Sequence, residues 1–414
     1  MSQTVQAYSS RTHKERESRI NPRIFLLAFS MLALGTSAFV VAGVLPDIAR
    51  ETGVTEGQAG QVVTAFSLTY GLGAPVLAAL TARWSRNMTL LGSLIFFCLA
   101  NVGTAIAPTF PLLLLARVLG GCFAAAFAPL AYAAGISLAP PEKRGQALAL
   151  VNIGLSVAVA IGSPLGILVG EHFGWRMTFV LVAGLAGAAS LALLLIRLPK
   201  ATAQPTLSFQ ASIAPMTQPS LLLALLPAVL WNLGVYTVYT YIAPFLHQNM
   251  HIVDISGQLV AYGLGVVVAS LLGGRIADRF GSTRPLVILL VALTIIQALL
   301  TFTTTTFLGG LLALFVWGLS SAILFIPQQV RLLSIAPEHD TMILALNTST
   351  LYLGIAGGAT LGGLALHAVS VSQLPWIGAA CVLLALLPFV FSVHLSRRHM
   401  KTHERGKREK EEMA

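Results

Sequence analysis

Charge is scarce in this chain: Asp, Glu, Lys and Arg together make up 10% of its 414 residues, where a water-soluble domain carries about 25%. The shortage excludes a conventional solvated surface. Cysteine is equally sparse, and Cys98, Cys122 and Cys381 all fall inside apolar runs, so no disulfide framework is implied. No Lys completes a phosphate-cradling Gly-x-x-x-x-Gly-Lys-Ser/Thr loop, and neither His-Glu-x-x-His nor Gly-x-Ser-x-Gly occurs. The nine His are scattered, none paired at metal-ligand spacing inside an apolar run. The expectation is a protein that is not an enzyme, with no cofactor and no metal.

Apolar sequence is what the chain does have. Hydrophobic residues are 56% of the total, and mean hydropathy is +0.81. Twelve runs of about 20 or more apolar residues can be drawn, each long enough to cross roughly 30 Å of hydrocarbon as a helix. Backbone amides in hydrocarbon find no water, so these runs should be helices. The first is too long, and its flank too charged, for a cleaved signal peptide. Residues 198–220 lose periodicity and gather Pro199, Pro205, Pro215 and Pro219, which marks a linker. The expected organisation is an N-terminal tail (1–23), a six-helix bundle (24–197), the linker (198–220), a second six-helix bundle (221–395) and a basic tail (396–414). Other turns are short and leave no room for a soluble catalytic domain.

With the N-terminus placed inside, 22 of the 25 Lys and Arg fall on the cytoplasmic side, as the positive-inside rule requires. Only Arg50 and Arg176 lie outside, and Arg117 lies within a span. Both termini are therefore expected in the cytoplasm. The net charge of +10 reads as topology and contact with anionic lipid, not as nucleic-acid binding.

A stretch of the chain is written twice. Ala79 to Arg86 (ALTARWSR) returns 196 residues later as Arg275 to Ser282 (RIADRFGS), each copy between two long apolar runs. Gly162-Ser163-Pro164-Leu165-Gly166 aligns at the same offset with Gly358-Ala359-Thr360-Leu361-Gly362. A parallel repeat of this length marks a membrane protein of two similar bundles, and such pairs usually carry a solute between them.

At these residues the sequence resembles the major facilitator superfamily, and within it the bacterial twelve-span drug:proton antiporter family with its arabinose-, sugar- and purine-efflux members. Gly274 to Gly281 looks like the family's loop between spans 8 and 9. Arg117-Val118-Leu119-Gly120-Gly121 looks like its span-4 motif. Gly154 through Gly162, Pro164, Gly166 and Gly170 look like the span-5 motif associated with antiporters, and Phe39 to Pro46 and Tyr239 to Phe245 resemble the subgroup's first and seventh spans. Three positions depart from the pattern. Ala82 stands where the loop motif usually carries Asp, span 5 reads Gly-Ser-Pro, and Ser37 or Ala38 stands where related first spans often place the acid that would carry the proton.

Arg117 stands out on physics alone, because burying a guanidinium in a span costs at least ~2.5 kcal/mol. It either tunes a proton or holds a polar substrate, or it is fixed to backbone carbonyls of spans 1 or 2. Asp47, at the outer end of span 1, is either a proton-exchange group or an ordinary helix-end carboxylate. Asn232, Tyr236, Tyr239 and Thr240 share one face of span 7 by spacing, with Tyr241 beside them. Ser37, Phe39, Phe325, Gln328 and Asn347 complete the candidate pocket from spans 1, 10 and 11, although polar groups of this kind also join helix to helix. By resemblance, Arg83, Gly274, Asp278, Arg279 and Gly281 would form the conformational-switch loops, with Gly162, Pro164 and Gly166 contributing from span 5.

The expected fold is an all-α integral membrane protein with twelve transmembrane helices in two pseudo-symmetric six-helix bundles. The expected function is proton-coupled efflux of a small amphipathic molecule from a monomer in a bacterial inner membrane. A facilitator or proton symporter for a sugar or nucleoside, and a non-transporting membrane sensor, are the alternatives.

Overall fold

The computed structural model describes residues 21–81, 84–140, 143–196, 198–199, 218–252, 254–281, 283–335 and 340–395. Nine helical stretches among them are long and apolar enough to cross a bilayer, and the bent pair Arg23–Phe39 and Val41–Thr52 makes a tenth. Two further long helices, Gln61–Thr81 and Asp340–Ala365, fill the places of spans 2 and 11. The order is then span 1 (Arg23–Phe39, Val41–Thr52), span 2 (Gln61–Thr81), span 3 (Arg86–Ile106), span 4 (Phe110–Ser137), span 5 (Arg144–Val157 continuing to Ser163–Phe173) and span 6 (Trp175–Leu195). The second half follows as span 7 (Pro219–Tyr239, Ile242–Met250), span 8 (Ser256–Phe280), span 9 (Thr283–Thr303), span 10 (Phe307–Ile323, Phe325–Ile335), span 11 (Asp340–Ala365) and span 12, which reaches Leu395. An even number of spans puts Arg23 and Leu395 at one end of the bundle; the opposite end is called the far end below.

Prolines set the breaks. Pro46 and Pro244 lack the amide that would bond to Ala42 and Thr240, and spans 1 and 7 are interrupted nearby, at Val40 and at Thr240 and Tyr241. Pro164 likewise frees the carbonyl of Ala160, and span 5 widens there into a π-turn at Ala158–Gly162. These breaks lie where the two halves approach.

Small residues set the packing inside each half. A Cβ on Gly154 would come within 1.9 Å of the Ala28 carbonyl oxygen, and one on Gly162 within 2.2 Å of Thr36 Oγ1, so span 5 lies directly on span 1. Gly354 and Gly358 place span 11 on span 7 in the same way, against Asn232 and Leu233. The repeated glycines thus serve the same helix pair in both halves.

The halves meet along two seams. Spans 2 and 11 pack through Tyr70 and Tyr352, stacked at 3.7 Å and 18°, and through Thr64 Oγ1 and Thr360 Oγ1 at 3.1 Å. Spans 5 and 8 pack where Gly263 sits on the Ala160 backbone. The far end is closed: the Tyr241 hydroxyl, which donates to the Ala359 carbonyl of its own half at 2.7 Å, lies 3.5 Å from the Gly57 carbonyl of the other half, and Gly57, between spans 1 and 2, rests on the backbone of Gly363.

Candidate functional site

A small cavity of about 10 Å³ lies between the halves, lined by Ala38, Phe39 and Ala42 of span 1, Val63 of span 2, Tyr236, Tyr239 and Thr240 of span 7 and Ile355 of span 11. The break in span 7 presents Tyr239 and Thr240 at its wall, and the break in span 1 presents Phe39. Phe39 faces Tyr236 at 6.2 Å and Tyr239 at 6.3 Å, while the two tyrosines meet edge to face at 5.7 Å. Behind them the aromatic wall continues through Tyr262 and Trp317 of spans 8 and 10. The Thr240 hydroxyl is buried there without a hydrogen-bond partner. Such a buried polar atom is costly unless something bonds to it.

Of the sequence candidates, Phe39, Tyr236, Tyr239 and Thr240 converge on this cavity, and the other pocket candidates lie apart from it. Arg117 is 1% exposed. Its Nε donates to the Val62 carbonyl at 3.3 Å, Nη1 to Ser37 Oγ at 3.0 Å and Nη2 to the Ser37 carbonyl at 3.1 Å. The guanidinium also lies over the Phe66 ring at 4.3 Å, and Ser37 Oγ donates to Asn101 Oδ1 at 2.8 Å. Of the two readings open for Arg117, this is the geometry of the fixed one, with backbone carbonyls of both spans 1 and 2 engaged. Asn232 bonds to Ala228 within its own helix and supports Gly354. Gln328 donates to the Ala224 carbonyl, joining spans 10 and 7 away from the cavity. Asn347 is fully buried with both amide atoms unpartnered, and Phe325 is half-buried; neither lines the cavity.

Asp47 pairs with Arg50 at the far-end surface, beside an open cleft of about 450 Å³ that Glu51, Glu171 and Trp175 help to line. Glu51 pairs in turn with Arg176 and accepts from the Trp175 indole. In the spans 8–9 region, Arg279 lies over Phe280, and Gly281 ends span 8 at φ 72°, a conformation suited to glycine. Gly274 and Asp278 are described only as helical backbone, and Arg83 lies outside the described residues. Gly162 and Gly166 pack on Thr36 and Val40 of span 1, and Pro164 stands at the π-turn that meets span 8.

Two features escaped the sequence reading. Arg331, one of the 22 cations assigned to the cytoplasmic side, is 3% exposed because span 10 runs on as Phe325–Ile335; it donates to Ser392 Oγ at 2.6 Å and lies over Phe389. Gln297 is a second polar hub, donating to the Gly234 carbonyl at 2.7 Å and accepting from Trp317 Nε1 at 3.2 Å. Its signal was available, since it stands 196 residues after Asn101.

Two repeated helical bundles facing each other across an aromatic cavity define a membrane carrier of the secondary-transporter class. The chain belongs to the major facilitator superfamily, whose family model matches residues 27–359 and 254–412. It is 33% identical over 374 residues to the "Inner membrane transport protein YdhP" of Escherichia coli (strain K12), covering 89% of this chain and 95% of that protein. It is 34% identical over 373 residues to the "Chloramphenicol resistance protein" of Streptomyces lividans, covering 88% and 94%, and 31% identical over 370 residues to a "Probable sugar efflux transporter" of Helicobacter pylori (strain ATCC 700392 / 26695), covering 88% and 93%. The fold is similar to that of a bacterial homolog of the human lysosomal transporter Spinster in an inward-facing, unoccupied conformation, with a TM-score of 0.69 at 19% identity over 91% of this chain and 96% of that one.

Proposed function

We propose that this transporter exports a small amphipathic molecule in exchange for protons, by rocking of the two halves about the cavity at Phe39, Tyr236 and Tyr239. The observation that carries the reading is that aromatic side chains from spans 1 and 7, one from each half, meet around one cavity at the seam. Tyr pairs an apolar ring with a hydroxyl, which suits amphipathic solutes. The far end, closed by Tyr241, is taken as the outer face, with both termini in the cytoplasm of a bacterium and the chain acting as a monomer. The names of the chloramphenicol-resistance and sugar-efflux relatives support export; the span-5 motif supports antiport.

A second reading is favoured by one observation: no carboxylate lines the cavity. An uncoupled facilitator for a sugar or nucleoside needs none there. Proteoliposomes with an imposed pH gradient separate the two. Proton-coupled export predicts accumulation that collapses with a protonophore, and unaltered accumulation refutes it. Tyr236→Phe is expected to weaken transport severalfold, whereas a non-transporting sensor would bind solute and move none.

A further inference from the structure

The geometry points to a cavity that takes uncharged ring compounds and turns cations away. This deepens the exporter reading and rests on it only in that solute must reach this cavity. Arg117 sits one residue behind the cavity wall on the first half: it bonds the carbonyl of Ser37, next to Ala38 and Phe39, and that of Val62, next to Val63. Its partners are neutral acceptors, and among the described residues no carboxylate pairs with it. Its charge is therefore balanced by no acid, and none of the described residues that line the nearby wall is acidic.

For a unit charge acting across about 10 Å, Coulomb's law at an effective dielectric constant of about 20 gives roughly a tenfold weakening of cation binding. Aromatic faces attract cations with an energy of similar size, so ring geometry has to decide. Here the rings already satisfy one another: Phe39 stacks on Tyr236 with 21° between planes, and Tyr239 meets Tyr236 edge-on at 74°. A planar uncharged ring entering between them keeps stacked and edge contacts. A compact cation gives up ring–ring contact and meets the repulsion of Arg117. Thr240, 1% exposed and unpartnered, supplies one hydroxyl to a polar substituent on that ring.

The test is binding and uptake by the purified full-length protein, using chloramphenicol, inosine and a phenyl glucoside as uncharged ring probes and tetramethylammonium as the compact cation. At least one uncharged probe is expected to bind ten times more tightly than the cation, and to lose that advantage in Tyr236→Ala. Ala38→Asp places a carboxylate at the wall beside Arg117 and is expected to raise cation affinity about tenfold relative to the uncharged probe. Should that variant not fold, Val63→Asp supplies the same charge from span 2. The inference is overturned if the wild type binds the cation as well as the best uncharged probe, if no uncharged probe binds, or if a folded Asp variant leaves the ratio unchanged. Selective binding without movement across the bilayer would instead overturn the exporter reading and leave the selectivity standing.

Discussion

Asn101 in span 3 and Gln297 in span 9 occupy the same place in the two halves, yet each is tied to its neighbours by a different donor. In the first half Asn101 accepts from the Ser37 hydroxyl, which in turn accepts from the span-4 guanidinium of Arg117; that group also bonds the Ser37 and Val62 carbonyls and lies over Phe66. In the second half the donor is the indole of Trp317 in span 10, which donates to Gln297 and lies 5.0 Å from Tyr262. Phe66 and Tyr262 are themselves 196 residues apart, whereas Ala313 stands opposite Arg117, so the second half moved its donor one helical turn along the span and made it neutral. Both halves carry a polar hub, joining four spans in the first and three in the second, and the charge of that hub differs between them. The first half consequently has a cation at its hub, and the second, whose buried Arg331 lies elsewhere in span 10, supplies most of the aromatic cavity wall.

The strongest way to break this comparison is to remove the charged donor. Arg117→Ala strands the Ser37 and Val62 carbonyls and is expected to cost about 3 kcal/mol, read as loss of monodisperse protein and a lower thermal midpoint in detergent. Arg117→Lys should recover part of that, since an ammonium cannot reproduce the fork. A glycine pair sharpens the comparison next. A Cβ on Gly358 would meet backbone atoms, Leu233 O at 2.6 Å and Thr237 N at 2.7 Å, whereas one on Gly162 would meet the Thr36 side chain. Gly358→Ala is expected to destabilise by about 2 kcal/mol and Gly162→Ala by less, measured by thermal unfolding of both. Gln297→Leu, which removes the neutral tie, should cost about 1 kcal/mol, well short of Arg117→Ala; equal losses would show that charge makes no difference to the hub.

The smallest effect tests the contact between halves. Glu56, in the short turn of helix Glu56–Ala59 before span 2, is half-buried, and burial raises its carboxyl above its ordinary 4.5 while His247 of span 7 opposes the rise. A raised folded-state value means the folded protein holds the proton more tightly, so stability is greatest with the group protonated and declines as pH climbs from about 4.5 through the raised value. Glu56→Gln should flatten that slope by a few tenths of a kcal/mol in unfolding curves taken across pH. An unchanged slope would show that burial at the far end does not favour the protonated form of Glu56.

Composition, run length and the 196-residue repeat were sufficient to fix a membrane protein of two repeated halves, because the cost of unbonded backbone in hydrocarbon leaves helices as the only solution for such runs. The same sequence marked Phe39, Tyr236 and Tyr239 through helical spacing and motif. It did not distinguish these from Asn232, Gln328 or Asn347, since a polar residue in a span serves a cavity or a neighbouring helix equally well on a helical wheel. That choice depends on where Pro46, Pro164 and Pro244 interrupt their helices, and on which backbone carbonyls then fall within reach. Arg117 shows it most plainly: the cost of its charge made burial against a partner certain, but only the packing of spans 1 and 2 onto span 4 decided that the partners are the carbonyls of Ser37 and Val62. Local periodicity determines which face of a helix is polar; the three-dimensional arrangement of spans far apart in the chain determines what that face meets.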